Sequence, residues 1–110
     1  MMIKTAELTG AALDWAVSAC IGIGWEMGDI DADEYGPGFK PSTDWADGGP
    51  IIEQEKIALI PPNERIDEWE AVHPDRMHNE QYNPTPLVAA MRCFVASRLG
   101  DEVEIPEGLA

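Results

Sequence analysis

The sequence predicts an α+β fold, with two main helices packed on a small antiparallel sheet and a long irregular loop region. Three observations lead there. Apolar residues recur at helical spacing near the N-terminus and again near the C-terminus. A β-branched run lies between them, and turn-forming residues fill much of the remainder. The 110 residues fit a single domain, 1–110, and 45% of them are hydrophobic, too many for a disordered acidic tail. A chain this short buries a limited share of its surface, so a homo-oligomer is expected.

The first helix follows Leu8. Thr9 suits the N-cap, Gly10 the first helical position, and Leu8 with Leu13 a hydrophobic staple. Leu13, Ala16, Val17 and Cys20 form the apolar stripe, with Trp15 at its edge and Asp14 and Ser18 on another face. Gly22 and Gly24 then stop the helix. Residues 28–41, "GDIDADEYGPGFKP", read as a flexible acidic, Gly- and Pro-rich loop. The run "DIDADE" invites a calcium reading, but counting from Asp29 the sixth position is Glu34 and the twelfth is Lys40, where the calcium loop needs Gly and Glu.

Next comes "STDWADGGPIIE", read as a shaped loop in front of a strand. Ser42 can cap a single turn through Thr43, Asp44 and Trp45. Gly48 and Gly49 permit positive φ and close backbone approach, and Pro50 biases Gly49 to extended geometry. A strand is expected over 51–60, "IIEQEKIALI", with a turn or bulge near Glu55 and Lys56. Residues 61–83 read as an irregular connection in which Ile66, Trp69 and Val72 fit a short helix and Trp69 fits a strand equally well. The second helix is the clearest element. Thr85 caps it, Pro86 opens it, Gly100 ends it, and Arg98 in its last turn suits the dipole. Leu87, Val88, Met91, Phe94, Val95 and Leu99 make a wide apolar band, and a short strand follows over 102–105.

Seven Lys and Arg stand against 21 Asp and Glu, a net charge of −14. Such a chain repels nucleic acid and anionic membranes, so no direct nucleic-acid or membrane partner is expected. The same surface could imitate DNA toward a DNA-binding protein, or could serve solubility alone. The N-terminal "MMIKTAELTG" has no apolar run of the kind a secretory leader needs, and no stretch approaches the ~18 apolar residues of a membrane span. Cys20 and Cys93 read as free, buried thiols in a reducing compartment.

Arg92 falls inside the apolar band, four after Val88 and three before Val95. A charge there must be paired or must face a cavity. Two readings stay open: a salt bridge to Asp44, Asp47 or Glu53 that ties helix to loop, or a guanidinium fork that meets a phosphate or carboxylate ligand. Ser42, Thr43, Asp44 and the Gly48 and Gly49 amides could surround a polar ligand, with Trp45 as a stacking face. The alternative is a rigid loop that covers the end of the core. His73 and His78, with Pro74 between them, share no helix face and read as surface histidines, with Asp75 offering at most a weak metal site. No nucleophile–base pair or metal set is legible, so no catalytic residue, metal or cofactor is assigned.

The runs "ELTGAALDWAVSAC", "PSTDWADGGPIIE" and "TPLVAAMRCFVASRLGDEVEIPE" resemble the NinX-type proteins of lambdoid and related phages, small accessory proteins of unknown function. The likeness covers both ends and the middle, and skips 28–40 and 65–83. It implies that Trp45, the run Gly49, Pro50, Ile51 and Ile52, the pair Pro86 and Leu87, and Ala89, Ala90, Met91 and Arg92 matter to all members. It supplies no reaction, and it places the chain in an infected bacterial cell, where the lack of a leader or membrane span leads to the expectation of the host cytoplasm. With these residues the leading expectation is a non-catalytic binding protein for a small anionic, nucleotide-like ligand, such as a host defence signal that it sequesters. Its site would be Ser42, Thr43, Asp44, Trp45, Gly48, Gly49 and Arg92. The alternative is an acidic inhibitor or DNA mimic acting on a host protein. A nucleotide hydrolase using Asp44 or Glu53 is a third reading.

Overall fold

The computed structural model describes residues 1–21, 39–74 and 76–109. The acidic stretch 28–38 that the sequence marks as a loop lies outside the described residues, as does Asp75. The fold is α+β, with three α-helices among the described residues and two antiparallel sheets.

Strand β1 (Met2–Lys4) opens the chain, and a single 3-10 turn (Thr5–Glu7) leads to helix α1 (Gly10–Ile21). The Leu13 amide donates to the Thr9 carbonyl, and Gly10 holds φ +56°, a left-handed geometry suited to a residue without Cβ. Of the expected stripe, Leu13, Ala16 and Val17 are fully enclosed, and Cys20 is half-buried.

Helix α3 (Pro86–Leu99) is the axis of the molecule. It packs against α1, both long strands and the middle helix, and touches the first 3-10 turn and the C-terminal strand. Ten of its 14 residues are therefore buried, including Ala89, Ala90, Ala96 and Ser97, which admit close neighbours on the flanks of the apolar band. Leu99, expected inside, is 42% exposed at its end. Thr85 holds the N-cap position, but its hydroxyl donates to Asn83 Oδ1 rather than accepting from the helix. Gly100 ends the helix at φ 87°.

The strand expected over 51–60 is corrected. Residues Trp45–Glu55 form helix α2, and only Ala58–Ile60 is extended, as β2. Asp44, not Ser42, is the N-cap; its Oδ1 accepts from the Ala46 amide at 2.9 Å, and Asp47 adds a favourable charge in the first turn. Residues 41–43 are instead a turn closed onto the Lys40 carbonyl by the Thr43 and Asp44 amides. At the other end Lys56 adopts φ 58°, and the Lys56 and Ile57 amides donate to Glu53 and Ile52, the bond pair of a Schellman cap. Ile51 and Ile52 pack half-buried on the core, contributing roughly 1 kcal/mol each.

Gly48 and Gly49 carry no positive φ; both are helical. Close approach is what Gly48 provides. A Cβ there would stand 2.4 Å from the Pro41 carbonyl oxygen and 2.7 Å from Leu87 Cδ1. Gly49 has another reason: a side chain on the residue before proline crowds the proline ring in helical geometry, and glycine has none.

The irregular connection expected over 61–83 ends at residue 68. Strands β3 (Trp69–His73) and β4 (Arg76–Asn83) form a hairpin, with β2 on the other edge of β3. Trp69 stands opposite Asn83, and a register irregularity falls between Ala71 and His73. The C-terminal strand β5 (Glu102–Glu104) does not join this sheet. It pairs with β1, Ile3 opposite Val103, in a sheet of two strands. Among the described residues no helix is long and apolar enough to cross a membrane.

Candidate functional site

Helical geometry gives α2 a face that its sequence does not announce. Asp47, Pro50, Ile51 and Gln54 recur three and four apart and line one wall of a groove, with Ala46 and Glu55 beside them. Phe94 and Arg98, one turn apart on α3, form the second wall. Among the described residues Cys20, Ile21 and Phe39 also line it. The cavity measures about 430 Å³, within the range of small-molecule sites. Phe39 and Phe94 are almost fully buried and give it an aromatic lining.

One charge network crosses the groove. Arg98 Nη2 donates to Glu55 Oε2 at 2.8 Å, and the guanidinium lies 5.2 Å from the Phe94 ring centre. The other oxygen of Glu55 stands 3.0 Å from His73 Nε2. Glu55 is 12% exposed and His73 only 4%, so the carboxylate bridges a buried strand and a half-exposed arginine. Held by a carboxylate on one edge and an aromatic face below, the fork has few conformations to lose on meeting a ligand. The surface-histidine expectation is thus corrected for His73, and the side chain of His78 lies outside the described residues.

Burial pushes both the Cys20 and the Cys93 thiol up to about 12, so neither is a ready nucleophile. Asp14 accepts the Ser42 amide at 2.9 Å and ties α1 to the turn before α2. Burial raises its pKa, only partly offset by Ser42 and the charge of Lys40. Among the described residues no three His, Cys, Asp or Glu side chains gather as a metal-binding group.

The structure does not bring the sequence-assigned site residues together. Arg92 is 7% exposed; its Nε donates to the Leu8 carbonyl at 2.8 Å and its Nη1 to the Tyr82 carbonyl at 3.4 Å. Desolvation lowers its pKa, against the pull of Glu68 and Glu7. It therefore neither pairs with Asp44, Asp47 or Glu53 nor faces the 42–49 segment. Arg92 ties α3 to the chain before α1 and to β4. Six residues further on, about a third of a turn away around the helix, Arg98 is the arginine that lines the groove. Ser42 is buried at Asp14. Thr43 and Asp44 are exposed, and the Asp44 carbonyl takes the Gly48 amide proton. The Gly48 and Gly49 amides lie inside a helix, not around a ligand. Trp45 is 53% exposed and outside the groove lining.

The residues missed by sequence reasoning are Arg98, Glu55, Asp47, Gln54, Phe39 and Phe94. Their signal was the 47, 50, 51, 54 spacing, visible only once that segment is read as a helix. A family model described as Bacteriophage P22, NinX matches residues 4–98, a span that holds every residue lining the groove and ends at Arg98. No curated relative matches the chain.

Proposed function

Because the chain belongs to the phage NinX family, we propose that it acts in the infected cell as a non-catalytic binding protein that captures a small nucleotide-like ligand in the groove between α1, α2 and α3. The observation that carries this reading is the Arg98 guanidinium, held by Glu55 beside an aromatic-lined cavity of about 430 Å³. Arg98, rather than Arg92, is the arginine that lines this groove. Raised thiol pKa values at Cys20 and Cys93 support binding over nucleophilic chemistry. A ligand withdrawn from host signalling by such a groove needs only a Kd below its cellular concentration, not turnover.

The test is retention. Protein purified from bacteria is denatured and its small molecules are identified by mass spectrometry, then titrated back calorimetrically against wild type and Arg98→Gln. A nucleotide bound by wild type and at least about tenfold more weakly by the variant is the expected result. Wild-type protein that retains and binds no nucleotide overturns it.

One observation favours a second reading. Trp45 exposes 53% of its surface at the start of α2 beside Asp44, on a chain of net charge −14. An exposed tryptophan with acidic neighbours suits a basic protein partner, as an acidic inhibitor would require. Binding to a host DNA-processing protein that weakens steeply with salt and survives Arg98→Gln would select this reading.

A further inference from the structure

Resting on the groove as a ligand site, we infer that it reads the base of its ligand, a guanine-type ring, and leaves the phosphates outside. The charges that line it decide against phosphate. Arg98 is the one cation in the lining among the described residues, and both Glu55 and Asp47 line the same groove. Arg98 already spends part of its field on Glu55. A phosphate, carrying between one and two negative charges, would meet more repulsion than attraction there.

A neutral flat ring meets no such opposition. Exposed Pro50 and half-buried Ile51 supply apolar surface, and the small exposed parts of Phe39 and Phe94 add to it. The polar groups offer both donors and acceptors. Arg98 has only Nη2 engaged in a hydrogen bond among the described residues, so its remaining N–H groups can donate. Asp47 accepts the Lys40 amide on Oδ2, and among the described residues no hydrogen bond reaches its Oδ1. Gln54 can do either. The ring that suits this set presents two neighbouring acceptors to a guanidinium and neighbouring N–H donors to a carboxylate. The O6 and N7 of guanine meet the first need, and its N1–H and 2-amino group meet the second. Adenine places a donor amino group beside N7, so the fork would lose one of its two bonds.

The experiment is calorimetric titration of the full chain with guanosine, adenosine, guanosine 5′-monophosphate and inorganic phosphate, repeated on Asp47→Asn and Arg98→Gln. Thermal melts check that each variant is folded. Guanosine should bind at least about tenfold more tightly than adenosine. The 5′-phosphate should change that affinity by less than about threefold, and inorganic phosphate should not compete. Each variant should bring guanosine down to the adenosine level. Equal binding of the two nucleosides, or displacement of guanosine by inorganic phosphate, overturns the base assignment. If adenosine binds as tightly as guanosine, or inorganic phosphate displaces it, and Arg98→Gln weakens that binding, the base assignment fails and the groove reading stands. If nothing binds, both fail.

Discussion

Replacing Gly48 with alanine should destabilise the fold, while the same change one residue later should be nearly neutral. The difference follows from what each Cβ would meet. At Gly48 it would stand 2.4 Å from the Pro41 carbonyl oxygen and 2.7 Å from Leu87 Cδ1, where ordinary contact begins at 3.4 Å. Leu87 can swing its side-chain tip away. The Pro41 oxygen is backbone, in the turn that feeds α2, so α2 must retreat by roughly 1 Å and loosen its packing. Overpacking of this kind costs about 3 kcal/mol, of which the better helix propensity of alanine returns about 1. The net loss is about 2 kcal/mol, on the order of 10 °C in Tm for a domain of this size. At Gly49 the added Cβ meets nothing within 4 Å beyond its chain neighbours. The propensity gain of about 1 kcal/mol is offset by crowding against the Pro50 ring. Urea unfolding followed by tryptophan fluorescence, with thermal melts, measures both. A Gly48→Ala protein as stable as wild type, or a Gly49→Ala protein that loses as much as Gly48→Ala, would refute the reasoning.

The remaining predictions concern single side chains. Lys56→Gly should stabilise the protein by about 0.5–1 kcal/mol in urea melts, because a left-handed cap at φ 58° costs a side chain that glycine lacks. Arg92→Met should destabilise it by about 2–4 kcal/mol by leaving the Leu8 and Tyr82 carbonyls unpaired, and Arg98→Gln by at most about 1, because its ion pair is half-exposed. Asp14→Asn keeps an oxygen for the Ser42 amide and removes a carboxyl whose folded pKa is raised by burial. A raised acid pKa means the folded state binds more protons, so wild type loses stability as pH rises through that range. The variant should therefore gain on wild type in melts as pH rises above the ordinary carboxylate range, and show no gain below it.

Where local and tertiary preferences agree, the fold is legible in the sequence. Helix α1 begins where Thr9 and Gly10 place it, and α3 begins and ends where Pro86 and Gly100 place it, because local signals and buried faces ask for the same boundaries. Helix α2 is hidden for the opposite reason. Gly48, Gly49 and Pro50 are among the poorest helix formers, and its C-terminal cap uses Lys56 where a glycine would have been read at once. The hairpin of β3 and β4 is hidden because Glu70, Gln81 and Tyr82 are polar or exposed at paired positions, so burial does not write an alternating pattern. The β1–β5 pair spans the length of the chain in only three residues a side, too short to carry a period. Arg92 was noticed because it interrupts an apolar run. Arg98 was noticed only for its place in the last turn, and nothing local separates a dipole partner from a groove residue.

This ties the site to the weakest element. The wall that carries Asp47, Gln54 and Glu55 is a helix that its own composition disfavours by several kcal/mol, counting Gly48, Gly49 and Pro50 together. Asp44, the Schellman bonds and docking at Gly48 hold it in place. Stability and binding should therefore part company in an ordered way. Gly48→Ala should weaken the groove in proportion to the loss of fold, because it displaces the wall. Arg98→Gln should weaken the groove with the fold almost unchanged, because it removes one fork from an intact wall. Arg92→Met should do the reverse, lowering stability and leaving the affinity of the remaining folded protein as it was. An Arg92 variant that melts near wild type yet fails to bind would return the recognition role to that residue and undo the assignment to Arg98.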